Sequence, residues 1–469
     1  MGSSVGILWR KRAGYAFCAV VGFSLLYNAY KYYFLWNFGS PNAPLYISLL
    51  KDLPWLLTVL FTAVLALKSF RTDWHNQAHQ YRVFSATVVL VGVSVIIVAL
   101  FHLGNKSFVD VLQRDCKNLQ YLIIPFLLPF IFDRDAMSGL SAINILLGVS
   151  VCANIVGFLL VYFLPDLMNG AAPAATFTDH YAYGYVMFVA GIFSASLFFS
   201  GLSPLFYTTV FISSIGGILL STSVGGLGAF FIGISLLLLV VRPPRIRVLK
   251  LSGMFAVAAL LFYLMGLYDP LLAKFGRSVT GYRSYVKSDV HVYTQRSNKR
   301  CGYDLLAFFP SLDKPYSSPA VIKYDNMPRD TSIAGRAVSY REMQHYLSSA
   351  SPRDILLGDF SIHNFCEYDS YYLVLLRNGG VVSLAAFLAV FFFWLWLMVR
   401  RFLHGTGNMK PAVNAIFSAC AVVLLTSYVA LFNLAIFPII YPISLLLYLM
   451  FFGSVYIAYP PRKSMTEKT

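Results

Sequence analysis

Charge is the scarcest ingredient of this chain. Asp, Glu, Lys and Arg make up 12% of its 469 residues, about half of the ~25% usual in soluble domains. That poverty excludes an ordinary water-soluble globule. The motifs of metal binding are missing too. With 6 Cys and 8 His there is no Cys-x-x-Cys and no His-Glu-x-x-His, so no metal is expected. No Gly-rich phosphate loop occurs, so no nucleotide cofactor is expected either. Internal repeats and low-complexity segments are absent. Arg10, Lys11 and Arg12 precede the first apolar run. That run passes without a small-residue cleavage site, so it reads as a membrane helix rather than a removable leader.

What the chain does have is hydrocarbon. Hydrophobic residues make up 58% and the mean hydropathy is +0.67. Apolar runs long enough or nearly long enough to span a bilayer lie at 14–36, 54–70, 83–103, 118–132, 140–164, 181–200, 205–221, 225–241, 249–267, 370–399, 411–430 and 435–458. Runs of this length say helices rather than a barrel. The expected fold is an all-α integral membrane protein of about twelve transmembrane helices, with one large outer loop containing short helices. Four regions follow: an N-terminal membrane domain over 1–267, the loop over 268–368, C-terminal membrane helices over 369–458 and a tail over 459–469.

The basic residues orient this arrangement. With twelve spans both termini share one side, and the loops assigned to that side hold 17 Lys and Arg against 4 Asp and Glu. The short loops of the other side hold 4 against 5. The termini are therefore expected in the cytoplasm and the long loop outside. The formal net charge of +16 is mostly this loop bias, and it calls for no nucleic-acid partner.

Of the cysteines, Cys18, Cys152 and Cys420 fall inside apolar runs and read as core fillers. Cys301 and Cys366 fall in the long loop, where an oxidising compartment would permit a bridge between them.

The long loop is rich in Tyr, Ser and Pro, and it carries 13 Lys and Arg against 10 Asp and Glu. RAVSYREMQHYLSSA reads as a helix and the following SPRD as its stop. Guanidinium forks suit a phosphate or diphosphate headgroup. Arg277 and Arg283, in KFGRSVTGYRSY, follow the run 249–267 closely. Arg336, in SIAGRAVSY, opens the expected loop helix. Asp179 and His180 stand where the loop 165–180 re-enters the membrane, as a polar rim or as a helix cap. His363 lies six residues before Asp369.

Asp369 itself stands at the head of an apolar run, as a helix cap or as a chemical group. Tyr371 and Tyr372 beside it offer aromatic faces to a sugar. Arg377 lies roughly 12 Å further along the helix at about 1.5 Å per residue. It must face a cavity, a partner acid or the headgroup layer rather than lipid tails. Asn378-Gly379-Gly380 then thins the helix for a close neighbour.

The order of parts across about residues 140–400 resembles the O-antigen polymerase and O-antigen ligase superfamily. ATFTDHYAYGYVM is similar to that family's outer loop leading into a helix, and GGILLSTSVGGLGAFFIGISLLLL to its hairpin. A basic turn, one helix and the large loop follow in the family's order. AGRAVSYREMQHYLSSASPRDILLGDF looks like its Arg, aromatic and Leu-Gly-x-Gly pattern. The ligases close the loop with His, then Asn, Ser or Gln, nine residues and Gly-x-x-Gly or similar. Here the string is Asp369, Ser370, nine residues, then Gly380-Val-Val-Ser383. Aspartate in place of histidine weighs for a polymerase, and Val224 stands near the place where many members carry an arginine.

The resemblance implies metal-independent glycosyl transfer at the periplasmic face of the bacterial inner membrane. Donor and acceptor would be undecaprenyl-diphosphate-linked glycans, with membrane lipid around them and a chain-length regulator as a further partner. No cofactor is implied. Asp369, Arg336 and His363 become the candidate catalytic residues. Arg277, Arg283, Arg377, Tyr371, Tyr372, Asp179 and His180 become the candidate substrate-binding set. A ligase to lipid A core and, at greater distance, a polysaccharide or lipid transporter are the alternative readings.

Overall fold

The structure is a computed structural model, and it describes residues 79–101, 136–163, 180–266, 346–358, 371–403 and 411–430, with scattered positions at 12, 14–20, 22–23, 26, 57, 60, 268, 272, 276, 343 and 455. The described residues are mostly helical and include no strand. In chain order the helices are α1 (His79–Phe101), α2 (Ala136–Phe163), α3 (His180–Phe199), α4 (Pro204–Leu220), α5 (Val224–Val241), α6 (Arg245–Leu264), α7 (Pro352–Leu357), α8 (Tyr371–Leu403) and α9 (Pro411–Ala430). All but α7 coincide with an expected apolar run. The runs 54–70, 118–132 and 435–458, most of 14–36, and most of the loop 268–368 lie outside the described residues.

Local chemistry sets the ends. Pro204 opens α4, where its missing N–H costs nothing. The α4–α5 turn is tight: Thr222 takes φ 50, and the Ser223 hydroxyl caps α5 by accepting from the Gly226 amide at 3.1 Å. α5 stops at Arg242, whose left-handed φ of 48 lets its amide reach the Leu238 carbonyl at 3.0 Å. Pro243 and Pro244 then forbid continuation, and α6 starts directly after them.

α3 is the axis of the bundle. Every residue from Tyr183 to Phe199 is buried, as expected for a helix apolar on all sides. It packs against α2, α4, α5 and α9. Its polar groups are met by neighbours. Tyr183 donates to the Asn154 side-chain oxygen, and Asn154 donates in turn to the Ser213 carbonyl at 2.7 Å. Tyr185 shares a hydrogen bond with Ser427, and Ser196 donates to the Ala415 carbonyl at 2.8 Å. Arg247, from the first turn of α6, donates to the Phe199 carbonyl and so closes the far end of α3. Gly217 lets α4 approach this axis: a Cβ there would stand 2.6 Å from both the Asn154 Oδ1 and the Met187 Cγ.

Among the described residues three helices are long and apolar enough to cross a membrane: Leu140–Leu159 in α2, Arg245–Leu264 in α6 and Gly379–Arg401 in α8. Tyr183–Phe199, Pro204–Leu220, Gly225–Val241 and Pro411–Ser427 are shorter apolar helices. α1 lies along α8, where Phe84 stacks on Phe393 with ring centroids 6.1 Å apart.

One expectation needs correction. Cys18 and Cys420 are buried as core fillers should be, but Cys152 is exposed; a helix apolar all round gives no sequence signal for which side faces outward. SPRD does follow a helix end, since the helical residues before it stop at Ser349, and it also opens the next helix. Ser351 is an N-cap whose hydroxyl accepts from the Asp354 amide at 3.2 Å, Pro352 is the first helical residue, and α7 follows.

Candidate active site at the head of α8

α8 is two helices in one. Gly380 adopts φ 63 and ψ −166, a left-handed backbone that only glycine takes without strain. The break separates a nine-residue first part, Tyr371–Gly379, from the long apolar body. The reason for it is the end of α7. A Cβ on Gly380 would lie 2.6 Å from the Gly358 amide nitrogen and would run into the Leu356 carbonyl. Gly358 is itself left-handed, with φ 86. Two glycines thus let two backbones touch, which is the close neighbour that Asn378-Gly379-Gly380 foretold.

A small second core builds on this contact. Met343 and Tyr346 are buried, and Ala350, Leu373 and Leu376 pack against them. Tyr346 donates from its hydroxyl to the Asp354 carbonyl at 2.8 Å, fixing the ring against α7. Arg377 lays its guanidinium over that ring, 3.7 Å from the centroid. This is close cation–π stacking. The sequence requires a polar setting for Arg377, and the structure supplies an aromatic one. Tyr346, which the sequence reading passed over, is the residue that provides it. The signal available was its place in an aromatic-rich helix, and nothing local tied it to position 377.

Tyr372 is half-buried and meets Phe387 edge-on, with centroids 6.3 Å apart. Its ring therefore bridges the break in α8, packing onto the apolar body as core rather than standing clear of it. Tyr371 begins α8 and His180 begins α3, and their side chains lie outside the described residues. So do Asp179, Arg277, Arg283, Arg336, His363 and Asp369, as well as Cys301 and Cys366.

The two described residues that flank the stretch containing Asp369 both belong to this half of α8 or touch it. Gly358 is seated on Gly380, and Tyr371 starts the same helix nine positions earlier. At about 1.5 Å per residue the two anchors stand roughly 14 Å apart. The segment 359–370, with His363 and Asp369 in it, leaves and rejoins the first part of α8. Arg377 lies between the anchors, two residues ahead of the apolar span that starts at Gly379. Chemically, this is a cation stacked on a ring at the head of a membrane-length helix. Among the described residues no group of three His, Cys, Asp or Glu could hold a metal ion.

No protein-family model matches the chain, and no curated protein matches it.

Proposed function

We propose that the protein is a membrane-embedded glycosyltransferase that polymerises undecaprenyl-diphosphate-linked repeat units into O-antigen or a related surface polysaccharide. The observation that carries the reading is the head of α8: Arg377 held on Tyr346 at the entrance to an apolar span, with the ends of segment 359–370 on the same half-helix. A lipid-linked diphosphate needs this combination of a hydrocarbon wall and a cation at headgroup depth. Its growing negative charge as it leaves is stabilised by guanidinium groups, with Arg277, Arg283 and Arg336 as further donors.

The acceptor is a sugar hydroxyl of a second lipid-linked unit. Asp369 accepts the hydroxyl proton, the hydroxyl oxygen bonds to the anomeric carbon of the donor, and the bond from that carbon to the diphosphate breaks. Direct displacement inverts the anomeric centre. His363 is the second candidate for the base, and Asp179, His180 and Tyr371 are candidates for holding the glycan. The reaction takes place at the periplasmic face of the bacterial inner membrane, with both termini cytoplasmic. The energy comes from the lipid diphosphate linkage.

The decisive experiment analyses lipid-linked products in cells carrying only this enzyme and a repeat-unit supply. A ladder of repeats on undecaprenyl diphosphate is expected. A single glycan on lipid A core makes it a ligase, and unchanged glycans with altered lipid sidedness make it a transporter.

A further inference from the structure

We infer that Tyr346 is a positioning residue that sets the plane of the Arg377 guanidinium, so that its in-plane N–H fork is presented to a lipid-linked diphosphate. The inference rests on the polymerase reading for the identity of the ligand, and on geometry for the device.

The device has three parts. First, the guanidinium sits 3.7 Å from the Tyr346 centroid. A cation stacked on a ring has one face covered, and all its N–H donors point sideways, in the plane. Stacking itself takes none of these donors, and with the Nε buried the two terminal nitrogens are the pair that would grip a diphosphate two-pronged. Second, the ring cannot turn freely. Tyr346 is 7% exposed, its hydroxyl is tied to the Asp354 carbonyl at 2.8 Å, and Leu373 and Leu376 wall it in. Third, the ring's own support is fixed to α8, because α7 ends backbone-to-backbone on Gly380. The shelf and the arginine belong to segments 31 positions apart in sequence, joined into one body at this seat.

The location adds the ligand class. Arg377 precedes the apolar span Gly379–Arg401, and α8 contains no Asp or Glu from Tyr371 to Leu403. An anion whose tail lies along α8 would meet its first positive charge at this arginine. A lysine in its place would keep the charge but lose both the stack and the fork.

The test uses the full chain in nanodiscs and measures binding of undecaprenyl diphosphate, with undecaprenyl monophosphate as the comparison probe. Tyr346→Leu should weaken the diphosphate by about tenfold and the monophosphate less, because a single phosphate needs the fork less. Tyr346→Phe, which keeps the ring, should recover most of that loss. Arg377→Lys should match Tyr346→Leu. The double variant Tyr346→Leu/Arg377→Gln should bind no worse than Arg377→Gln alone, because the tyrosine acts only through the arginine. Additive losses in the double variant, or equal losses for the two lipids, would overturn the inference. If Tyr346→Leu does not fold, the comparison of Tyr346→Phe with Arg377→Lys decides: equal losses in that pair reject the shelf. A normal product ladder together with unchanged diphosphate binding in Tyr346→Leu sinks the shelf and leaves the polymerase intact. The expected binding pattern in a protein that makes no ladder with any supplied repeat unit sinks the polymerase and leaves the shelf.

Discussion

Gly380 and Gly358 meet backbone to backbone: a side-chain carbon on the first would stand 2.6 Å from the amide of the second. Both residues have positive φ, 63 and 86. The contact joins the end of α7 to α8, and it does so where no side chain fits on Gly380.

Replacing either glycine should therefore unseat the loop. Gly380→Ala adds a left-handed strain of about 1–2 kcal/mol and a clash with the Leu356 carbonyl. It should lower the thermal midpoint in detergent and open the region around α7 to limited proteolysis. Gly228→Ala is the matched control, since a Cβ there meets nothing within 4 Å; it should be neutral or stabilising by up to about 1 kcal/mol. Equal behaviour of the two variants would show that the seat contributes nothing.

Asp369 separates a chemical role from a capping one. Asparagine caps a helix about as well as aspartate, so Asp369→Asn should insert and fold normally yet make no product ladder. Loss of a general base costs on the order of a hundredfold to ten-thousandfold in rate, enough to erase polymer in cells. Asp369→His should be made beside it, since histidine stands there in the ligases. Normal polymerisation by Asp369→Asn would make the residue a cap alone and move attention to His363.

The arginines should fall into two classes. Arg283→Ala and Arg336→Ala should abolish polymer formation, and Arg336→Lys should not restore it if the contact is two-pronged. Arg353→Ala should be tolerated, because Arg353 is an exposed residue in the first turn of α7. Full activity in Arg336→Lys would count against a diphosphate clamp.

Sidedness can be read with thiols. A cysteine at Ser318 should react with a membrane-impermeant reagent in intact spheroplasts, and one at Thr406 should react only after permeabilisation. The reverse pattern would place the long loop in the cytoplasm and remove the proposed reaction from the periplasm. A mobility shift on reduction in the same samples checks a Cys301–Cys366 bridge.

The helices were legible because their ends carry chemistry that works locally. Pro204, Ser223 and Pro243-Pro244 mark boundaries that the structure keeps within a few residues of the apolar runs. The SPRD stretch was legible as a stop but not as the start of α7, because Ser-Pro both follows a helix end and opens a helix. The break in α8 was half legible. Asn378-Gly379-Gly380 announces a close neighbour, but that neighbour lies 22 positions away, at Gly358. The Tyr346–Arg377 stack left no trace in the sequence, since pairing across 31 positions depends on how the loop returns. The burial of α3 on every side, against the exposure of Cys152 on α2, is likewise a property of the assembled bundle.

The hydrogen bonds of α3 also order events in time. Ser196 is satisfied by Ala415 and Tyr185 by Ser427, residues 219 and 242 positions further on. A ribosome completes α3 long before it reaches α9, so the axis of the bundle is made before two of its polar groups can meet these partners. A chain halted after Leu403 would keep the Tyr346–Arg377 stack but lack the residues that complete this flank of α3.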